Sequence, residues 1–264
     1  MQTVEQTARR RKSNAEKFLV LMLGGGVILA ALSFLFLRFG AESLSLSDIL
    51  NAFFAFDEGE FKHVIARDIR LPRLLADIIV GVSLAVAGAV MQGNTKNPMA
   101  DSGIMGISAG SVFAIVLMMA FLPDASRLER IGYSCLGALA ATLLIYGVAL
   151  LGHTGRSADR MVLSGMAIST LFSSVSSAVI LKSGNVNAMM KYTAGSSANT
   201  IWLDVGLSAP FFAAGLIAAL VMARSLTIMG LGDEVSRELG ANTRLIRLVG
   251  TIVVLVLSAI AVII

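Results

Sequence analysis

The chain has 264 residues, of which 56% are hydrophobic and 14% charged, and its mean hydropathy is +0.82. Average soluble domains carry roughly 25% charged residues, so this composition excludes a soluble globular protein and predicts an all-α, polytopic membrane helical bundle. The net charge of +4 is too small and too dispersed to indicate nucleic-acid binding. The single cysteine, Cys135, excludes an internal disulfide, and with only two histidines a multi-ligand zinc site is not expected.

Seven uncharged stretches follow one another along the chain. They are residues 18–37, 78–95, 102–123, 131–155, 161–181, 205–223 and 248–264. About 20 residues cross the hydrocarbon layer, so six are long enough and the seventh runs to Ile264. We therefore predict seven membrane spans. The first is too long for the apolar region of a signal peptide and is expected to be retained.

The distribution of Lys and Arg orients these helices. With the N-terminus in the cytoplasm, the inner segments hold twelve of these residues and the outer segments hold nine. The positive-inside rule favours that orientation. Residues 1–17 then form a basic cytoplasmic tail, and residues 225–243 form a loop on the same side of the membrane.

Residues 70–87 resemble residues 244–261 when the chain is compared with itself. Nine of the eighteen aligned positions are identical, including Arg70 and Arg73, which align with Arg244 and Arg247. In the predicted topology the first helix runs inward and the second outward, so the pair indicates an inverted repeat of the kind found in transporters. The alternative is that two apolar helices share Leu, Val and Ala by chance.

The chain lacks the sequence patterns of an enzyme. No Gly-x-x-x-x-Gly-Lys-Ser/Thr phosphate loop occurs, so the chain itself is not expected to hydrolyse ATP. No catalytic residue and no metal ligand is predicted. Asp77 lies at a span end, four residues after Arg73, and an ion pair on one helix face is its simplest explanation.

The cytoplasmic stretch from Leu231 to Gly240 predicts a short amphipathic helix. Its acidic start suits a helix N-terminus, Gly240 suits the C-cap, and Leu231, Val235 and Leu239 share one face. A helix this short is marginal in water and needs a surface on which to dock. The alternative is an interfacial helix that lies on the lipid head groups.

Several short motifs follow one another between residues 69 and 264. They are Arg70-Leu71-Pro72-Arg73, Val80-Gly81, Gly88-Ala89-Val90-Met91-Gln92, Asn97-Pro98-Met99-Ala100 with Gly103 and Gly106, the segment from Tyr192 to Trp202, and Leu231-Gly232-Asp233-Glu234 through Leu239-Gly240. In this combination and order, the chain resembles the permease subunit of ATP-binding-cassette importers for iron–siderophores, haem and cobalamin.

The resemblance implies a permease in the bacterial cytoplasmic membrane that pairs with a second permease, as a homodimer or a heterodimer. A separate ATPase subunit would hold ATP and Mg²⁺, so this chain is expected to carry no cofactor and to be no enzyme. An extracytoplasmic substrate-binding protein would deliver an iron–siderophore or a related metal chelate. The lipid bilayer is the remaining expected partner, and nucleic acid is not one.

The resemblance also assigns roles to individual residues. Coupling to the ATPase would fall to Leu231, Gly232, Asp233, Glu234, Leu239 and Gly240. Arg70 and Arg73 would receive acidic residues of the binding protein, although both could instead snorkel at the membrane interface. The translocation path would be lined by Met91, Gln92, Asn94, Asn97, Gly106 and Ser108.

The chain departs from the family pattern in three places. Ser102 stands where proline is common, and Tyr192 where tryptophan is common. Family members have about ten spans, so the permease domain, residues 1–264, is expected to be incomplete at its C-terminus. Two other functions stay open: an ion-coupled secondary transporter, disfavoured by the scarcity of buried acids, and a membrane assembly factor without transport.

Overall fold

The computed structural model describes residues 2–103, 106–150, 158–184 and 186–264, except for the side chains of residues 2–15, 149–150, 158–161, 188 and 233. Within these ranges the chain forms α-helices and one π-helical segment, Ile65–Arg70. The first four helices are α1 (Gln2–Arg38), α2 (Leu46–Phe54), α3 (Phe61–Val64) and α4 (Leu71–Thr95). The next four are α5 (Ile107–Phe121), α6 (Arg127–Leu150), α7 (Ala158–Ser183) and α8 (Val186–Ala194). The last three are α9 (Trp202–Met229), α10 (Asp233–Glu238) and α11 (Thr243–Ile263).

The first compact unit, Met1–Leu74, is organised around α2. A capping box starts this helix: Ser45 Oγ accepts a hydrogen bond from the Asp48 amide at 3.1 Å, and the Asp48 carboxylate accepts one from the Ser45 amide at 2.9 Å. The hydrogen bond from the Ser45 amide, followed by a smaller contribution from the Ser45 side chain, lowers the pKa of Asp48. Ile49 and Ala52 then pack with apolar residues of the π-helical segment.

The second compact unit, Leu75–Ile264, is a helical bundle held by close backbone approaches. Gly110 of α5 meets Gly137 of α6 so closely that a Cβ on Gly110 would lie 2.5 Å from the Gly137 carbonyl oxygen. Gly215 of α9 leaves room for Leu257 of α11 in the same way, since a Cβ there would lie 2.7 Å from a Leu257 methyl carbon. Small residues allow such contacts between helices in lipid, where burial alone gives little driving force.

The predicted count of seven spans is not confirmed. In the part of the chain that the structure describes, six helical segments are long and apolar enough to cross a membrane: Glu16–Arg38, Phe61–Thr95, Arg127–Val148, Val162–Ser183, Trp202–Met229 and Thr243–Ile263. The predicted third span, residues 102–123, holds a helix of 15 residues, Ile107–Phe121, which is about 22 Å long. The uncharged stretch is longer than the helix within it, because Ser102 and Gly103 lie in a turn and Gly106 has a φ of +76°. Residues 151–155 of the predicted fourth span lie outside the described residues.

Within the second unit, the helices that carry the two segments of the predicted repeat lie antiparallel. Asn94, near the end of α4, donates from Nδ2 to the carbonyl oxygen of Arg247, near the start of α11, at 3.2 Å. Ile79, near the start of α4, packs in one apolar cluster with Ile260, near the end of α11. This is the relative direction that the inverted-repeat prediction requires, and the repeat itself stays a prediction.

Candidate functional site

The loop between α9 and α11 folds as a short helix fixed to the end of α9. Gly232 precedes α10 with a φ of +115°, a backbone conformation that favours glycine. Ser236 is fully buried, and its hydroxyl hydrogen-bonds to the carbonyl oxygen of Ile228, in the last turn of α9, at 2.9 Å. The same hydroxyl also lies within hydrogen-bond distance of the Gly232 carbonyl oxygen. α10 is therefore fixed to the helix that precedes it.

The C-terminal end of α10 is a Schellman motif, so the prediction that Gly240 ends this helix is confirmed. The Ala241 amide donates to the Ser236 carbonyl and the Gly240 amide to the Arg237 carbonyl, both at 2.9 Å. Gly240 has the positive φ, +77°, that this motif needs. The helix itself is shorter than expected, because Leu231 lies in the turn after α9 and the last helical residue is Glu238.

The predicted apolar face of α10 is open to solvent. Leu231 is 62% exposed, Val235 42% and Leu239 62%, and Glu234 is exposed beside them. The Asp233 side chain lies outside the described residues, although its backbone begins the helix. Val235 on α10 and the flanking Leu231 and Leu239 are thus exposed apolar side chains around a helix that buried Ser236 fixes. Together they form a surface suited to docking against a partner.

Arg70 and Arg73 have different surroundings. Arg70 is 7% exposed and donates from Nη1 to the Leu37 carbonyl oxygen at 2.6 Å and from Nη2 to the Glu42 carbonyl oxygen. It thereby caps the last turn of α1 and the turn that follows. Arg73 is half-buried, and its Nε is enclosed without a hydrogen-bond partner among the described residues. Docking of a partner at these arginines stays a prediction, with Arg70 already engaged inside its own unit.

The residues predicted for the translocation path occupy several environments. Met91 is buried in the core with Val253 and Leu257, and Asn94 packs against α11. Gly106 is enclosed, since a Cβ there would lie 2.9 Å from a methyl carbon of Ile145.

The other three path residues lie around the end of α4 and the start of α5. Gln92 is exposed and donates to the Pro98 carbonyl oxygen at 2.9 Å. Asn97 Oδ1 accepts from the Met99 amide at 2.9 Å, and Ser108 is half-buried. The role of all six residues in translocation stays a prediction.

The structure also shows a polar pocket that sequence reasoning missed. It lies where α5 and α11 end and α6 and α9 begin, beside α8, and has a volume of about 200 Å³. Arg127 pairs there with the Asp204 carboxylate, while Arg130 donates to the Tyr192 hydroxyl at 3.4 Å. From the sequence, these two arginines count only among the charges that orient the membrane spans. Their contacts could not be predicted, because no local pattern links Arg127 to a carboxylate 77 residues away.

Comparison with known proteins shows which family the chain resembles. The profile of the FecCD transport family matches residues 28–264. The iron(3+)-hydroxamate import system permease protein FhuB of Bacillus subtilis is 33% identical over 92% of this chain and 63% of its own length. The Fe(3+)-citrate import system permease protein YfmD of the same organism is 35% identical over 96% of this chain and 74% of its own length.

A further relative and a solved structure agree with these two. The ferric enterobactin permease protein FepD of Escherichia coli is 34% identical over 88% of this chain and 68% of its own length. A solved structure described as an inward-facing metal-chelate type ABC transporter has a TM-score of 0.73 with 22% identity, covering 92% of this chain and 75% of that one. The chain thus spans between 63% and 75% of the length of these four proteins.

Proposed function

Because this chain belongs to the FecCD transport family, we propose that it is the permease subunit of an ATP-binding-cassette importer. Its substrate is an iron–siderophore or a related metal chelate, such as haem or cobalamin, which it passes into the cytoplasm. The observation that carries this proposal is the exposed apolar face of α10. A permease that is driven by a separate ATPase needs a surface that binds this ATPase and transmits its movement.

The mechanism follows from how α10 is connected. Its buried Ser236 is bonded to the end of α9, and a four-residue link, 239–242, joins it to α11. Asn242 caps α11 by accepting a hydrogen bond from the Leu245 amide at 3.1 Å. When the ATPase closes around ATP and displaces α10, the short connections transmit this displacement to α9 and α11 and change the tilt of both helices.

The orientation and the other partners belong to the same proposal. The N-terminus and α10 lie on the cytoplasmic side, as the distribution of Lys and Arg favours. An extracytoplasmic binding protein docks on the opposite side, with Arg73 offering a partly exposed cation for its acidic residues. A second permease, identical or related, completes the path between the two subunits.

The experiment is purification of the protein from its native membrane in mild detergent, followed by identification of its partners by mass spectrometry. We expect a phosphate-loop ATPase to co-purify with the wild-type chain. A Leu239→Asp variant places a charge on the docking face and is expected to lose this partner. Leu122→Asp is the matched control, because Leu122 is 49% exposed at the end of α5, away from α10. Retention of the ATPase by the Leu239→Asp variant would refute the docking role of α10.

Coupling is tested separately with Gly232→Ala and Glu234→Ala in reconstituted vesicles. At Gly232 the φ of +115° makes any Cβ unfavourable, so the alanine alters the entry into α10. Both variants are expected to keep ATP hydrolysis by the bound ATPase while losing substrate uptake. Uptake that remains proportional to hydrolysis in both variants would contradict the coupling role.

A further inference from the structure

The short helix α2 carries more apolar surface than the first compact unit covers. Its buried residues, Ile49 and Ala52, pack inside that unit. Beside them runs a stripe of exposed apolar side chains, Leu46, Leu50 and Phe53, each about half exposed, and Phe54, which is 85% exposed. Successive residues of a helix are about 100° apart, so these four lie side by side within one arc. They are called the outer stripe of α2 below.

No charged side chain interrupts the outer stripe. The one charged residue of α2 is Asp48, which lies in a polar arc of the helix with Ser47 and Asn51. Its carboxylate accepts from the Ser45 amide at 2.9 Å and pairs with Lys62 Nζ at 3.3 Å. With nine residues, α2 is too short to cross a bilayer. A short helix with one apolar and one polar arc is suited to lie in the plane of a membrane surface.

The packing of α2 fixes its depth relative to α1. The uncharged run of α1 ends at Leu37, directly before Arg38, and a run of about 20 residues crosses the hydrocarbon layer. Leu37 packs against the apolar cluster that contains Ile49 and Ala52. The Leu44 amide donates to the Arg38 carbonyl oxygen at 2.9 Å, so the chain turns back directly after α1. α2 therefore lies at the level where the apolar run of α1 meets the lipid head groups.

The lipid-facing surface of α1 leads directly to this level. No residue of α1 from 16 to 38 is buried, as expected of an apolar helix that contacts lipid. Exposed phenylalanines flank α2 in the chain, Phe39 before it and Phe61 after it. Arg70 joins the end of α1 to the turn before α2, since it donates to the carbonyl oxygens of Leu37 and Glu42. The first unit thus exposes apolar surface from α1 to the end of α2, and lipid is the solvent of its first part.

We propose that the outer stripe of α2 inserts between lipid head groups, so that α2 is an interfacial helix anchoring the first unit in the membrane surface. In the orientation proposed above, this surface is that of the outer leaflet. Interfacial helices bury their apolar face about 5–10 Å into the boundary of head groups and acyl chains. Because α2 has no cation of its own, its insertion relies on apolar burial and needs no anionic lipid. The contact requires only that α1 crosses the bilayer, whatever energy source drives transport.

The test is tryptophan fluorescence of the full chain in phosphatidylcholine vesicles, quenched by phosphatidylcholine that is brominated high on its acyl chains. Every variant also carries Trp202→Phe, since Trp202 is the one tryptophan of the chain. Phe53→Trp places the probe in the outer stripe. Asn51→Trp is the matched control, because Asn51 is exposed on the same helix and residues two positions apart point in nearly opposite directions. Leu46→Trp repeats the probe in the first turn of α2, in case Phe53→Trp does not fold.

The two probes in the outer stripe are expected to behave alike. A side chain inserted below the head groups meets brominated chains, so quenching by the brominated lipid should be at least about twofold stronger for Phe53→Trp and Leu46→Trp than for Asn51→Trp. Acrylamide, which reaches the probe from water, should quench the three variants in the opposite order. Their melting temperatures should agree, because the replaced side chains are exposed or half-exposed.

Three results would overturn the lipid contact. Equal quenching of Phe53→Trp and Asn51→Trp by the brominated lipid would show that α2 has no membrane-facing side. Protection of Phe53→Trp from both the brominated lipid and acrylamide would show that protein, rather than lipid, covers the outer stripe. Quenching that appears only after phosphatidylglycerol is added would show that charge, rather than apolar burial, brings α2 to the membrane.

Discussion

Replacing both Leu231 and Leu239 by alanine is expected to weaken binding of the ATPase subunit while leaving the permease folded. Each leucine is 62% exposed. Fully burying a leucine stabilises by about 1.5–3 kcal/mol, so a partner that covers these side chains gains about 1–2 kcal/mol from each. Loss of both contributions raises the dissociation constant by roughly 30-fold to several hundred-fold.

The assay is titration of the purified ATPase onto the permease immobilised in nanodiscs, with the dissociation constant read by interferometry. The Leu122→Ala variant, which also removes an exposed leucine, is expected to bind as the wild type does. The melting temperatures of all three proteins should agree, because exposed side chains contribute little to the fold. A double variant that binds within threefold of the wild type would refute the docking of this face.

Gly137→Ala places a Cβ against the backbone of α5 and is expected to lower the melting temperature by several degrees. Gly132→Ala, with open space around it, is expected to leave the melting temperature unchanged. Equal melting temperatures for the two variants would contradict the close approach of α5 and α6. Arg70→Ala leaves the Leu37 carbonyl oxygen without its donor and should cost about 1.5–3 kcal/mol, measured by denaturant unfolding, whereas an unchanged unfolding midpoint would deny its structural role. The lowered pKa of Asp48 means that its contribution to stability is present above pH 3.8 and is lost as the pH falls through its folded pKa. Asp48→Asn should remove that part of the acid dependence, and an identical acid-unfolding profile would contradict it.

The long apolar helices could be predicted from the sequence because charged residues interrupt the apolar stretches at the membrane boundaries, whereas the short helices α2, α3 and α8 were not predicted. The end of α10 could be predicted as well, since glycine after an amphipathic segment is a local signal that Gly240 fulfils. The 15-residue length of α5 could not. An apolar turn around Ser102 and Gly103 has the same hydropathy as a helix, and only backbone geometry separates them.

Other features of the structure depend on contacts between distant parts of the chain. The acceptors of Arg70, the carbonyl oxygens of Leu37 and Glu42, lie 33 and 28 residues earlier in the chain, and docking at Arg70 stays a prediction. The polar pocket is lined by residues that lie far apart in the sequence, among them Arg127 and Asp204. No local spacing encodes such pairs, so the sequence predicts the end of α10 better than these long-range contacts.

The source of energy for transport tests the central claim most directly. Proteoliposomes that contain the permease, its co-purified ATPase and the binding protein would be supplied with a radioactive ferric chelate. We expect uptake to require ATP on the side of α10 and to be unaffected by collapse of proton and sodium gradients. Uptake driven by an ion gradient after ATP has been depleted would contradict the assignment and favour a secondary transporter.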